Sequence, residues 1–386
     1  MKKIFIVTGE YSGDLHASYV VRELKKMIPD IEIEAVGGKF LEAEGIKLLS
    51  NHDKMGIGGT DAFKAIFSHI KLGKEVFNYL KNNFKPDLVL LIDYGGFNLR
   101  LAKVLKGNNI PVFYYISPQV WASRKGRLKD IKKYISKMML ILPFEEKIHR
   151  DAGVNAEYVG HPLVSQIPSG LNREDFIRDN NLDPDKKIIG LFPGSRKMEI
   201  NYLLEIFLKS AKIINSKVQD IQFCLGQANS ISDDLIQKYL KKYPDLDIKI
   251  IKNQNYGLLS ASDIVILASG TITLEAALYK KPMIVTYKAP ALAYNLYLLL
   301  RYIKLIALPN IIAGKKIVKE FVQHKAKPDL IAEETVSLLN NPSKRDNMVL
   351  ELSKISNQLG SKDAPYEVAR NIKEYLFSKN SEVEHK

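Results

Sequence analysis

The chain of 386 residues contains one cysteine and one tryptophan. A lone thiol excludes an intramolecular disulfide and suits a reducing compartment. Cys224 sits inside the apolar run Ile221 to Leu225 and is expected to be buried. The core of a signal peptide is also missing: after Met1-Lys2-Lys3 only four apolar residues precede Thr8 and Gly9, too few for an export signal. Leu292 to Leu308 is apolar but carries Asn295, Arg301 and Lys304, which is wrong for a bilayer span. It reads as a segment that touches a membrane or holds acyl chains, or as a core helix running into Pro309-Asn310.

Other absences narrow the chemistry. The glycines do not have the G-x-G-x-x-G spacing, which disfavours a nicotinamide or flavin, and no cofactor is expected. No His, Cys, Asp or Glu cluster has metal-ligand spacing, and no metal is expected. Asp245-Leu246-Asp247 looks like an Asp-x-Asp metal motif. However, Tyr243 to Ile248 repeats the local pattern of Ile28 to Ile33, a helix stop and a strand start whose period of two turns the acids to solvent. Acidic residues are in deficit. Lys and Arg total 57 against 43 Asp and Glu, a net charge of +14. Such an excess serves nucleic acid, anionic lipid or a phosphorylated substrate, or is simply a lysine-rich surface. Without an arginine block or RNA-binding aromatics, nucleic acid is disfavoured.

What is present is an α/β pattern repeated twice. In the first half, Ile4 to Val7, Ile31 to Val36, Leu88 to Ile92, Val112 to Ile116 and Met138 to Leu142 read as buried parallel strands, each followed by a turn and a helical stretch. The second half restarts the pattern with Ile188 to Phe192, Ile221 to Leu225, Ile264 to Leu267 and Met283 to Thr286. The expectation is two doubly wound, Rossmann-like domains facing each other across a crevice. Residues 1–165 form the first and 188–360 the second, with a polar linker at 166–187 and a terminal segment at 361–386. Gly56 to Gly59 precede a helix starting near Asp61. On it Phe63, Ile66, Phe67, Ile70 and Phe77 share a face among Lys64, Lys71 and Lys74. That stripe faces a core or lies on an anionic bilayer.

In such folds ligands bind at the carboxyl ends of strands. Ser269-Gly270-Thr271 followed by a helix at Ile272 is an anion-binding turn, and Glu275 one turn later suits a ribose diol. Pro193-Gly194-Ser195-Arg196 is a second turn of this kind, whose Arg196 clamps a phosphate or pairs with Glu199. In the first half Asp93 ends the most apolar strand, and Glu10 and Asp14 follow the first strand. Asp93 is the expected base on a bound hydroxyl, partly desolvated, with Glu10 orienting or assisting. Asp14 alone reads more simply as a cap. Trp121 stacks on a ligand or plugs the domain edge, and His161, before Pro162, reads as structural.

These residues also carry a resemblance. Thr8-Gly9-Glu10-x-Ser12-Gly13-Asp14, Ser117-Pro118-x-Val120-Trp121, Leu142-Pro143-Phe144-Glu145, Gly160-His161-Pro162, Pro193-Gly194-Ser195-Arg196, Ser269-Gly270-Thr271-x-x-Leu274-Glu275, Leu308-Pro309-Asn310 and Glu320-x-x-Gln323 together resemble the lipid-A-disaccharide synthase family in order and spacing. One departure is Ile92 to Asn98. There the family often has Pro-Asp or Pro-Gly before Phe-Asn, and a role for an acid at Gly96 is lost. The resemblance implies a GT-B fold whose last helices cross back to the first domain. It also implies an inverting transfer from UDP-2,3-diacylglucosamine to 2,3-diacylglucosamine 1-phosphate (lipid X). It implies UDP-side contacts from Gly194, Ser195, Arg196, Ser269, Gly270, Thr271, Glu275, Asn310 and Gln323. Acceptor-side contacts would come from Ser12, Gly13, Asp14, Asn98, Ser117 and Trp121. The implied location is cytoplasmic, on the anionic inner-membrane surface, with a homodimer left open. A UDP-sugar epimerase and a non-catalytic UDP-sugar-binding protein are the alternatives.

Overall fold

The computed structural model describes residues 1–51, 62–291, 294, 298 and 301–381, with the side chains of 62–69 and 379–381 outside the description. The glycines at 56–59, Asp61, the side chains of Phe63, Ile66 and Phe67, and most of the stretch 292–300 therefore lie outside the described residues. The chain forms two compact units, Met1–Ser165 with Ser361–Lys386, and Gln166–Gly360.

The first unit is built on β1 (Lys3–Val7), β2 (Glu32–Gly37), β3 (Lys47–Asn51), β4 (Leu88–Ile92), β5 (Val112–Tyr115), β6 (Lys137–Leu140) and β7 (Ala156–Tyr158). They pair in parallel in the order β3-β2-β1-β4-β5-β6-β7. Alternation along β1 divides the core. Ile4 and Ile6 pack with Leu90, Ile92, Val20 and Leu24 on one face. Phe5 and Val7 pack with Val89, Leu91, Val76 and Leu105 on the other. Both faces are covered, so β4 reads as an unbroken apolar run. The first face is completed by the C-terminal helix Ala364–Ser381, whose Val368, Ala369, Ile372 and Leu376 are buried against the helix Tyr11–Met27.

On the helix Ala62–Tyr79 the described buried side chains are Leu72 and Val76, continued by Leu80 in the following turn. Of the residues singled out by spacing, Ile70 is 48% exposed and Phe77 only partly buried. A Cβ at Gly73 would meet the Phe97 ring at 3.7 Å, and the edge carrying Ile70 stays open.

The second unit carries β8 (Lys187–Phe192), β9 (Ile221–Gln227), β10 (Ile248–Lys252), β11 (Ile264–Ala268), β12 (Met283–Tyr287) and β13 (Lys319–Val322). All are parallel, in the order β10-β9-β8-β11-β12-β13. Cys224 lies buried in β9, and burial pushes its thiol up to about 12. Residues 166–187, expected as a linker, belong to this unit's fold instead. Asn172 caps the helix Arg173–Asp179 through the amides of Glu174 and Asp175 at 2.7 and 3.3 Å. Phe176 and Ile177 are buried, and Arg173 reaches Asp263 at 2.9 Å. The polar composition that suggested a linker is the outer face of a short docked helix.

Candidate active site

In both sheets the strand order reverses beside the first strand of the unit, between β1 and β4 and between β8 and β11. At such a point the helices leaving the two strands turn to opposite faces, which opens a crevice at the carboxyl ends. Val7 is in register with Leu91, so Glu10 and Asp93 leave neighbouring strand ends. Phe192 is in register with Leu267, which places the 193–196 turn beside the 269–271 turn.

At the first reversal point Asp93 and Tyr94 both adopt left-handed backbone, with φ of 49° and 51°, a conformation that side-chain-bearing residues rarely take. Three groups hold it there. The Asp93 amide donates to Tyr115 O at 3.0 Å. The buried Asn98 donates from Nδ2 to Ile92 O at 3.2 Å and to Asp93 O at 2.8 Å. The Tyr114 hydroxyl also donates to Asp93 O. Asn98, expected to touch an acceptor, is buried and holds the backbone of Asp93. Burial and then the neighbouring Glu10 carboxylate raise the Asp93 carboxyl, against the Tyr94 amide, which lowers it. Glu10 itself is exposed at the start of the helix Tyr11–Met27, as is Ser12, while Gly13 is buried beside Thr8 and the Ile92 carbonyl. The Tyr94 ring lies over Gly9, where a Cβ would fall 2.1 Å from it.

At the second reversal point a cavity of about 360 Å³ is lined by Gly194, Ser195, Arg196, Ser269, Gly270, Thr271 and Glu275. Seven of the nine residues expected on the UDP side therefore share one wall. Thr271 makes no side-chain cap, and burial pushes the Glu275 carboxyl up to about 7. Arg196 is 77% exposed and pairs with Glu199 at 3.1 Å. Glu199 also accepts the amides of Ser195 and Arg196 at 2.8 and 3.1 Å, and Gly194, at φ 123°, leaves the room this needs. Glu199 therefore fixes the turn, and one bond to it leaves further Arg196 N–H groups to meet an anion. Asn255, passed over in the sequence, also lines the cavity, and its buried Oδ1 has no hydrogen bond. Among the described residues there is no group of three or more His, Cys, Asp or Glu side chains arranged to hold a metal ion.

Residues 4–371 match the family described as lipid-A-disaccharide synthetase. A lipid-A-disaccharide synthase of Syntrophus aciditrophicus is 39% identical over 93% of this chain and 94% of its own length. One from Coxiella burnetii is 36% identical over 98% and 99%. The chain belongs to the lipid-A-disaccharide synthase family. Its fold is of the GT-B type. UDP-GlcNAc 2-epimerase from Neisseria meningitidis bound to UDP-GlcNAc superimposes with a TM-score of 0.66 at 15% identity, covering 96% of this chain and 99% of that one. MurG of Acinetobacter baumannii gives 0.61 at 14% identity, covering 97% and 100%. At such identities the likeness is one of fold.

Several stretches that resemble the lipid-A-disaccharide synthase pattern also make contacts within the protein that hold the scaffold. Asp14 is buried and accepts the amides of Gly38 and Phe40 at 2.7 and 2.8 Å, capping the next helix across the sheet end. Trp121 is 6% exposed, and its indole N–H donates to Glu145 at 2.8 Å. Ser117 is buried against His149 Nε2 at 3.0 Å, and His149 Nδ1 lies 2.9 Å from Glu145 O. The Ser117–Trp121 and Leu142–Glu145 stretches thus bind each other. His161 is buried with Nδ1 accepting the Leu163 amide at 3.2 Å, and burial with nearby His16 drives it down to about 3. Gln323 brackets Ala289, accepting its amide at 3.3 Å and donating to its carbonyl at 3.1 Å. Glu320 takes the amides of Ile306 and Ala307 at 3.1 and 2.8 Å.

Asn310 is the most complete case. It is fully buried, donates to Val318 O at 2.9 Å and Glu320 at 2.8 Å, and accepts from Ile317 and Val318 amides at 2.7 and 2.9 Å. A buried polar group left unpaired costs about 1–3 kcal/mol, and Asn310→Ala orphans several. It is expected to lower the unfolding free energy by roughly 2–5 kcal/mol in a urea titration. A change below about 0.5 kcal/mol, the usual size at an uninvolved surface position, would return Asn310 to the ligand.

Proposed function

We propose that this chain joins UDP-2,3-diacylglucosamine to 2,3-diacylglucosamine 1-phosphate, giving the β(1→6) disaccharide 1-phosphate and UDP with inversion. The observation that carries this reading is the Asp93 carboxyl at the first strand reversal, raised by burial and by Glu10. In a single displacement the acceptor hydroxyl oxygen attacks the donor's anomeric carbon while Asp93 removes its proton. The bond from that carbon to the diphosphate oxygen breaks, and UDP leaves with the electron pair. Arg196 and the backbone of the 269–272 turn offset the charge that develops on the diphosphate, and Glu275 accepts hydrogen bonds from the ribose. Glu10 orients the acceptor and keeps Asp93 basic. An isomerase reading rests on fold likeness alone, since the epimerases that superimpose are 13–15% identical.

No described helix is long and apolar enough to cross a membrane. A peripheral contact is proposed instead, through the open edge of the helix Ala62–Tyr79, where Ile70 is 48% exposed beside the exposed Lys71 and Lys74. Basic residues and an apolar side chain together suit an anionic bilayer surface.

Three outcomes check these assignments. Asp93→Asn is expected to keep UDP affinity and lose turnover by roughly 10²–10⁴-fold, the range for a missing general base. Turnover within a few-fold of the parent, with Glu10→Gln inactive, would move the base to Glu10. UDP affinity measured by calorimetry should rise with pH, because the ionised Glu275 is the better acceptor and a carboxyl raised to about 7 ionises across this range. If only the ionised form binds, the gain from about pH 6 to 8 is ~10-fold. Glu275→Gln should bind more weakly and lack this component, leaving only titration of UDP itself; an identical pH profile in the variant would sink the ribose assignment. Finally, the protein should sediment with phosphatidylglycerol vesicles at low salt and be largely released in about 1 M salt, where screening is within a few ångströms. Ile70→Ser should shrink any salt-resistant fraction, and absence of vesicle binding in all salts would remove the membrane reading.

A further inference from the structure

Three arginines gather beside the Asp93 loop, and the mechanism above uses none of them. Arg100 extends from the helix Gly95–Lys106 and is exposed. Arg124 sits on a left-handed turn, φ 57°, whose carbonyl accepts the Arg127 amide at 3.0 Å. Arg127, half-buried, opens the next helix. Its Nη1 lies 3.3 Å from where a Cβ on Gly95 would be, next to Pro118, so the glycine makes room for it. Arg124 and Arg100 are both close enough to act on Arg127. Burial first, then Arg124 and, more weakly, Arg100 disfavour the charge on Arg127, while the Tyr114 hydroxyl favours it. Among the described residues no ion pair joins any of them to a carboxylate, although Asp130 is carried on the same helix as Arg127. Like charges held together without a counter-charge are unfavourable, and guanidinium forks fit the paired oxygens of a phosphate.

A second feature meets the first. A cavity of about 410 Å³ is lined by Ile70, Phe77, Phe97, Leu101 and Val104, with Arg100 in its wall. Tyr94 also lines it, one residue from Asp93. The arginines, the apolar cavity and the carboxyl therefore suit one amphiphile bearing a phosphate, an acyl chain and a hydroxyl.

We propose that Arg100, Arg124 and Arg127 form the phosphate subsite of the first unit, holding the phosphomonoester of an acylated acceptor whose chain enters the neighbouring apolar cavity. This rests on the acceptor assignment made above and adds which side chains select the acceptor. The phosphate bound is that of the acceptor itself, not the headgroup of a bilayer phospholipid.

The test uses the full chain and its variants Arg124→Gln and Arg127→Gln. Equilibrium binding and kcat/KM are measured in neutral detergent micelles with 2,3-diacylglucosamine 1-phosphate and with its dephosphorylated analogue. Each variant is expected to lose roughly 10- to 100-fold on the phosphorylated acceptor, the range for a lost charge-assisted hydrogen bond. Loss on the analogue should stay within about 3-fold, since the removed bond is absent there. UDP affinity should not change. Arg124 is exposed, so its variant keeps the test valid if Arg127→Gln folds poorly. Equal losses on both acceptors, or no loss on either, would overturn the subsite. Unchanged micelle binding with lost sedimentation on phosphatidylglycerol vesicles would also overturn it, assigning the arginines to headgroups. If the wild type binds the phosphorylated acceptor through these arginines yet makes no disaccharide, the subsite stands and the transfer reading falls.

Discussion

Everything chemical in this chain depends on one constraint of parallel sheets. A strand can be followed by a helix on either face, and where successive connections change face, two loops diverge and leave a gap at the carboxyl ends. Each unit has one such place, beside β1 and beside β8. The residues there are short, polar and conformationally costly: Asp93 and Tyr94 in left-handed backbone, and Gly194 at φ 123°. Such backbone persists only when neighbours over-determine it. Here the neighbours are Asn98, Tyr114 and the Tyr115 carbonyl in one unit, and Glu199 in the other.

That dependence explains why some candidate residues could be located from the sequence at the reversal points, while the bonds made by others could not. Asp93, Glu10, Ser195, Arg196, Gly270 and Glu275 follow apolar strands directly, so period and length locate them. The strands themselves were legible for the same reason, since burial on both faces writes continuous apolar runs such as Leu88–Ile92. The short edge strands β3 and β7 and the late β13 were not, because they are brief and only partly buried. Another group has a different property. Asp14, Ser117, Trp121, Asn310 and Gln323 lie in recognisable stretches and make bonds within the protein. Their partners are far along the chain: Asp14 with residues 24–26 positions later, Trp121 with Glu145, Gln323 with Ala289. No local period reports such a bond. A family pattern is therefore a mixture of groups that do chemistry and groups that hold those groups still.

The electrostatics of the two reversal points differ in a way that fits their roles. In the first unit Asp93 and Glu10 leave neighbouring strand ends, and burial, then the Glu10 carboxylate, raises the Asp93 carboxyl. This favours proton uptake, as a base requires. In the second unit Arg196 is already paired with Glu199, while Glu275 stands apart and is raised by burial alone. A pairing on the surface is worth little, about 0–1 kcal/mol, so it costs little to redirect the guanidinium toward an incoming diphosphate.

The arginines near Asp93 close the argument on charge. A chain with a net charge of +14 can place its cations almost anywhere on its surface, and elsewhere it pairs many of them: Arg22 with Glu44, Arg178 with Asp175, Arg370 with Glu367 and Glu374. Against that habit, three arginines that no ion pair joins to a carboxylate among the described residues, one of them half-buried and near the Tyr114 that anchors Asp93, call for another explanation than surface solubility. The cost of gathering them is recovered only when an anion arrives, and binding that relieves repulsion in the free protein also discriminates against a ligand lacking the charge. On the proposed roles, a base beside such a cluster acts on a hydroxyl whose parent molecule has already been selected by its phosphate.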